Sequence, residues 1–338
     1  MPEGLSLILL AIVGLAVVFD YINGFHDTAN AIATSVSTRA LKPEQAVLLS
    51  AIANFVGALT GTAVAATIGA GLVDEKALSA VDPHLTYVIA ALVGAIVWNL
   101  ITWRLGIPSS SSHALIGGLL GAALVAAGPQ AINVNGVVNK VLVPLVTSPI
   151  LGFVLAGVLM VLLLNVFVRA MPRLLNERFR RLQVVSASYM AFSHGSNDAQ
   201  KTMGVITLAL FSAGLIRSFE IPLWVIILCA TAISLGTAFG GWRIIRTMGQ
   251  RVVKLDPVHG FAAETTAATI ILGASHLGMP VSTTHVISSA IMGVGATERL
   301  SAVRWGVAGN IVIAWVLTIP AAGLVAGLAY VVIHPFVY

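Results

Sequence analysis

Long apolar stretches separated by short polar connections dominate the chain. The runs Leu5–Phe19, Ala46–Leu72, Leu85–Trp103, Val141–Val168, Ile221–Gly241 and Gly306–Val332 each approach or exceed the roughly 20 residues that cross hydrocarbon as a helix. They predict an all-α integral membrane protein, a polytopic helical bundle. The first run is not read as a signal peptide, because Met1-Pro2-Glu3 carries no basic leader and the run flows straight into polar, motif-like sequence. The Leu85–Ala127 region is expected to enter and leave on one side, as two full spans or as a re-entrant hairpin.

Composition agrees with this pattern. Of 338 residues, 58% are hydrophobic and 9% charged, against about 25% charged in a soluble domain. A net charge of +5 could suggest a nucleic-acid partner, but the basic residues sit in the connections, as the positive-inside rule requires. No nucleic-acid binding is expected. The densest basic stretch runs from Arg169 to Arg181, and a second holds Arg243, Arg246, Arg251 and Lys254, while the Asp74–His84 loop is net acidic. With the basic connections in the cytoplasm, both termini fall outside the cell membrane. The single cysteine, Cys229, excludes an internal disulfide and a thiolate metal cluster.

Two motif pairs recur at nearly one offset. Asn23-Gly-Phe-His-Asp27-Thr-Ala-Asn30 answers His194-Gly-Ser-Asn-Asp198-Ala-Gln-Lys201, with Asp198 171 residues after Asp27. Pro108-Ser-Ser-Ser-Ser-His113 answers Pro280-Val-Ser-Thr-Thr-His285, with His285 172 residues after His113. The chain therefore reads as a first repeat over 1–168, a basic cytoplasmic connection over 169–183 and a second repeat over 184–338. An odd number of crossings per half makes the repeats inverted, with broken or re-entrant helices and the site at their interface. One half rocking against the other would then give alternating access.

Each Pro-led motif predicts a helix N-terminus deep in apolar sequence. Proline ends the preceding helix, the serines are natural N-caps, and the first turn offers N–H donors and partial positive charge to an anion. Two such ends facing each other make a cage for a tetrahedral oxyanion, with Ser109, Ser110, Ser111, Ser112, Ser282, Thr283 and Thr284 as anion ligands. Plain capping of a kinked segment is the alternative. Asp27 and Asp198 at membrane depth are functional candidates by default. With Asn23, Asn30, Asn197 and Glu264 they offer oxygen ligands suited to sodium or to a proton relay, and Gly24 and Gly195 are expected to allow an unwound backbone beside them. His26, His113, Gln200, Lys201 and His285 are expected behind these groups. His26, next to Asp27, tilts the coupling ion toward a proton, with sodium as the other candidate. No structural metal or cofactor is expected.

Gly24–Ala31 and Ser193–Lys201 resemble the two signatures of the inorganic phosphate transporter (PiT) family, and the two Pro-led segments resemble its paired phosphate-binding tips. The resemblance spans nearly the whole chain. It implies a cation-coupled phosphate symporter and not an enzyme, with Asp27 and Asp198 essential and Ser110–Ser112 and Ser282–Thr284 around the anion. Glu264 matches an acidic residue that the family carries ahead of its second tip; the first half has only Leu92 at the equivalent offset. The sequence leaves a monomer and a homo-oligomer both open. The rival readings are a sulfate or other oxyanion permease, an anion channel and an intramembrane Ser–His hydrolase. The last is weak, because Ser112 and His113 are neighbours on one helix and do not face each other.

Overall fold

The computed structural model describes residues 3–82 and 85–337. Met1 and Pro2, on which the reading of the first run drew, and Pro83 and His84 of the acidic loop lie outside the described residues. Among the described residues the regular elements are helical, apart from one isolated bridge between Val73 and Ile132.

The first half runs α1 (Glu3–Ser37), α2 (Pro43–Ala58), α3 (Ala63–Ala70), α4 (Glu75–Val81), α5 (Thr86–Leu105) and α6 (Ser111–Ala127). A short α7 (Val134–Val137) then leads through a π turn into α8 (Val143–Val166). The order recurs in α9 (Pro172–Ser212), α10 (Leu223–Phe239), α11 (Trp242–Arg246), α12 (Pro257–His276), α13 (Thr283–Glu298) and α14 (Trp305–Val337). Among the described residues four helical stretches are long and apolar enough to cross a membrane, or six when the bent pairs α2/α3 and α10/α11 each count as one span. The expected Ala46–Leu72 span is thus a broken one. The pairs bend by 74° and 60° beside Gly61 (φ 114°) and Gly240 (φ 70°), a backbone region that glycine enters without a Cβ clash.

Helices α1 and α9 lie side by side and antiparallel. Asp20 of α1 neighbours Thr202 of α9, whereas Thr34 and Ser186 meet on Glu264, so the residue order on one helix opposes that on the other. That is the signature of an inverted repeat. The basic connection rides largely on α9, whose first turns expose Arg173, Arg178, Arg180 and Arg181.

The expected unwinding at Gly24 and Gly195 does not occur: α1 and α9 run as helix through both. The glycines serve close packing instead. A Cβ on Gly24 would fall 2.2 Å from the Ile233 carbonyl oxygen of α10, and one on Gly195 2.2 Å from the Asn54 carbonyl oxygen of α2. The halves are interlaced, because α1 packs on α10, α2 on α9, α14 on α5 and α6, and α8 on α12 and α13. Two apolar cores result. Helix α1 gives residues up to Phe19 to one and from Ala29 onward to the other, which leaves its polar segment between them.

The region left open in the sequence is a hairpin. Helices α5 and α6 pack against each other, and the turn after α6 returns to the segment ahead of α5, where the Asp74 N–H at the start of α4 donates to the Ala131 carbonyl at 2.8 Å. In the second half His259, at the start of α12, lies 3.3 Å from Glu298 at the end of α13. The hairpins α5–α6 and α12–α13 enter from opposite sides and meet at their tips.

Candidate functional site

The tips form where Pro108 and Pro280 stop one helix and a hydroxyl starts the next. Ser110 caps α6, its hydroxyl accepting from the His113 N–H at 3.1 Å, and Ser282 caps α13 by accepting from the His285 N–H at 3.2 Å. The repeat therefore reproduces the same cap. His113 and His285 touch ring to ring, centroids 4.8 Å apart, and His285 stacks on Trp315 at 4.1 Å, so the tips meet through an aromatic contact.

Around this contact the motif residues are buried. Asp27, Asp198 and His194 each present an oxygen or nitrogen within 4.8 Å of the others. The first-half carboxylate takes a 2.6 Å contact from His26 Nδ1, whose Nε2 lies 3.0 Å from Thr102 Oγ1. The hydroxyls of Ser109 and Ser111 stand 3.5 Å from the same imidazole. The second-half carboxylate is paired with the Lys201 ammonium, accepts from Thr283 at 3.1 Å and lies 3.2 Å from His194 Nε2. Lys201 also donates to Ser112 Oγ of the first tip and, at 3.1 Å, to the Val281 carbonyl of the second. A fully buried cation thereby links both tips.

The motif asparagines are buried and held through their amide nitrogens. Asn30 donates to Thr283 at 3.2 Å and Thr284 at 2.9 Å, and Asn197 donates to Ser275 at 2.8 Å. Their Oδ1 atoms, like that of Asn23, accept from no donor among the described residues. Buried acceptors seldom stay unsatisfied, and amide and carboxylate oxygens are ligands of the kind a hard cation takes.

Two expected residues lie apart. Gln200 turns away, its Oε1 accepting from the Val64 N–H at the start of α3 at 2.8 Å. Glu264 accepts from Thr34, Ser186 and, at 3.2 Å, Gln183. Thr34 is seven residues beyond Asp27 on α1, about 10 Å along the axis, so Glu264 forms its own locus. Sequence reasoning missed Thr102, Asn54 (which binds His194 at 2.9 Å), Thr34, Gln183, Ser186 and Asp20. The available signal was a lone polar residue in an apolar run, and on α1 the spacing of Asp20, Asn23, Asp27, Asn30 and Thr34 down one helix face.

An inverted-repeat bundle whose two broken-helix tips converge on buried charges is the architecture of a secondary transporter. The sequence matches the phosphate transporter family (PHO4) over residues 23–175 and again over 168–326, and the chain belongs to that family. It is 50% identical over 98% of its length to a Bacillus subtilis (strain 168) protein named "Probable low-affinity inorganic phosphate transporter", covering 98% of that protein. A Rhizobium meliloti (strain 1021) protein of the same name is 52% identical, with 96% of each chain covered. A solved structure named "The sodium-dependent phosphate transporter" superposes with a TM-score of 0.88 at 28% identity, covering 97% of this chain and 99% of that one. The relatives are transporters, and the hydrolase reading falls away with them.

Proposed function

We propose that this protein imports inorganic phosphate across the cell membrane by symport with sodium, using alternating access. The carrying observation is the position of Lys201, whose ammonium bridges two hydroxyl-lined helix N-termini that enter from opposite sides. Fixed positive charge and first-turn N–H groups attract an oxyanion from both halves at once. Ser109–Ser112, Ser282, Thr283 and Thr284 line the anion. A phosphate that still carries a proton donates it to a carboxylate, whereas sulfate has none to give, so Asp198 beside Thr283 favours phosphate. Vesicles holding the purified protein accumulate labelled phosphate under an inward sodium gradient, and arsenate competes while sulfate does not. Equal competition by sulfate contradicts this reading.

Sodium is favoured over a proton by the chemistry of Asn23, Asn30 and Asn197, whose free amide oxygens are poor proton carriers and good sodium ligands. With Asp27 and Asp198 they form the coupling site, and Glu264 acts at a second level. The similar solved structure is that of a sodium-dependent phosphate transporter, which points the same way. Accumulation driven by a pH gradient without sodium contradicts it.

The topology we assign has repeats at 1–168 and 184–338, a cytoplasmic 169–183 connection and both termini outside. In a Cys229→Ser background, a cysteine at the exposed Phe336 reacts with an impermeant external thiol reagent and one at Arg180 does not. The opposite pattern inverts the orientation.

A further inference from the structure

Asp20 has no place in the site described so far. It is fully buried on α1, and neither carboxylate oxygen has a hydrogen-bond partner among the described residues. Asn23, one turn along, and Thr202 of α9 stand next to it, yet Asn23 Oδ1 and Thr202 Oγ1 are themselves buried without partners. Two carboxylate oxygens, an amide oxygen and a hydroxyl from two antiparallel helices thus gather without a hydrogen bond among them. A carboxylate at membrane depth marks an ion or proton pathway by default. The nearest ammonium, Lys201, is already bound to Asp198, Ser112 and Val281. Asp27 lies seven residues along α1, about 10 Å along the axis, beyond the reach of one ion's coordination shell.

We propose that Asp20, Asn23 Oδ1 and Thr202 Oγ1 form a further sodium site, distinct from the one at Asp27 and lying toward the N-terminal end of α1. It rests on the reading of sodium as the coupling ion. A monovalent ion fits better than a divalent one, because a single carboxylate meets neutral oxygens and Lys201 adds positive charge close by. Asn23 stands between Asp20 and Asp27 on the same helix face, so an ion released at Asp20 meets its next ligand without leaving the polar stripe.

Labelled-sodium binding to the full-length protein in lipid nanodiscs, without phosphate, tests the site. Asp20→Asn, which keeps the shape, is expected to bind one sodium fewer per chain than the wild type. Thr202→Val is expected to weaken that ion about tenfold, as loss of one buried ligand does. Sodium replacing choline is expected to raise the melting temperature of the wild type more than that of Asp20→Leu, which no longer buries a lone charge. An unchanged sodium count in Asp20→Asn overturns the proposal. So does a melting temperature that follows pH and ignores sodium, since the carboxylate then holds a proton. Asp27→Asn run in parallel separates the two readings: an ion lost there but not in Asp20→Asn leaves sodium coupling standing and removes only this site. A wild type that binds no sodium while still taking up phosphate removes both.

Discussion

The two Asp motifs occupy equivalent places in the repeat and are equipped differently. Asp198 is clamped by the ammonium of Lys201, with His194 and Thr283 at its other oxygen. Among the described residues Asp27 is hydrogen-bonded by the imidazole of its neighbour His26, and Asn30 stands where Lys201 stands in the other half. The amide oxygens of Asn23 and Asn30 accept nothing. One half therefore carries its cation covalently, and the other presents ligands for a cation that comes and goes. Duplication supplied the geometry of both motifs, and a single side chain then divided their roles.

The largest test of that contrast is Asp27→Asn, which keeps the shape and removes the charge that holds a mobile ion. Phosphate uptake into vesicles is expected to fall at least 100-fold, while yield and melting temperature stay near wild type. Breaking the other half costs stability instead. Lys201→Met leaves Asp198 buried without its counter-ion, a change worth about 3–5 kcal/mol, visible as a lowered melting temperature. Lys201→Asn, which copies the first half into the second, is expected to make uptake depend more steeply on sodium concentration. An unchanged sodium dependence there means that Lys201 does not substitute for an ion.

Smaller effects sharpen the comparison at the tips. Ser112→Ala removes a hydroxyl aimed at Lys201 and the anion; losing one buried donor costs about 1–3 kcal/mol, so half-saturating phosphate is expected to rise roughly 5- to 150-fold. Ser110→Ala and Ser282→Ala remove matched caps, each worth about 1 kcal/mol. Both are expected to lower the melting temperature by a similar small amount, and a marked inequality between them breaks the symmetry of the tips.

The parts of this site that were legible in the sequence are those whose chemistry is local. Pro108 and Pro280 had to stop helices, the serines after them had to cap the next ones, and the matched offsets tied the halves together. Asp27 and Asp198 stood out because a carboxylate in an apolar run has few innocent explanations. The rest depended on contacts between helices far apart in the chain. The oxygens around Glu264 come from Thr34, Gln183 and Ser186, single polar residues that meet only once α1, α9 and α12 are packed. Asp20 was hidden by ending the first apolar run at Phe19, when the helix continues to Ser37 and its polar face begins one residue later. The motif glycines were misread for a related reason. Flexibility and close approach both call for a missing Cβ, and only the carbonyl of Ile233 or Asn54 lying against it tells them apart.

Those glycine contacts also constrain the machine's moving parts. Where backbone touches backbone there is no layer of side chains to slide or re-pack, so α1 travels with α10, and α2 with α9, as riveted beams. Each rivet joins a helix of the first half to one of the second. The expected rocking of one sequence half against the other would have to shear every one of them. The packed groups cut across that boundary: α5, α6 and α14 pack together, as do α8, α12 and α13, each group taking members from both halves, and α12 also lies against α9. Gene duplication drew one boundary through this protein, and its packing follows a different one.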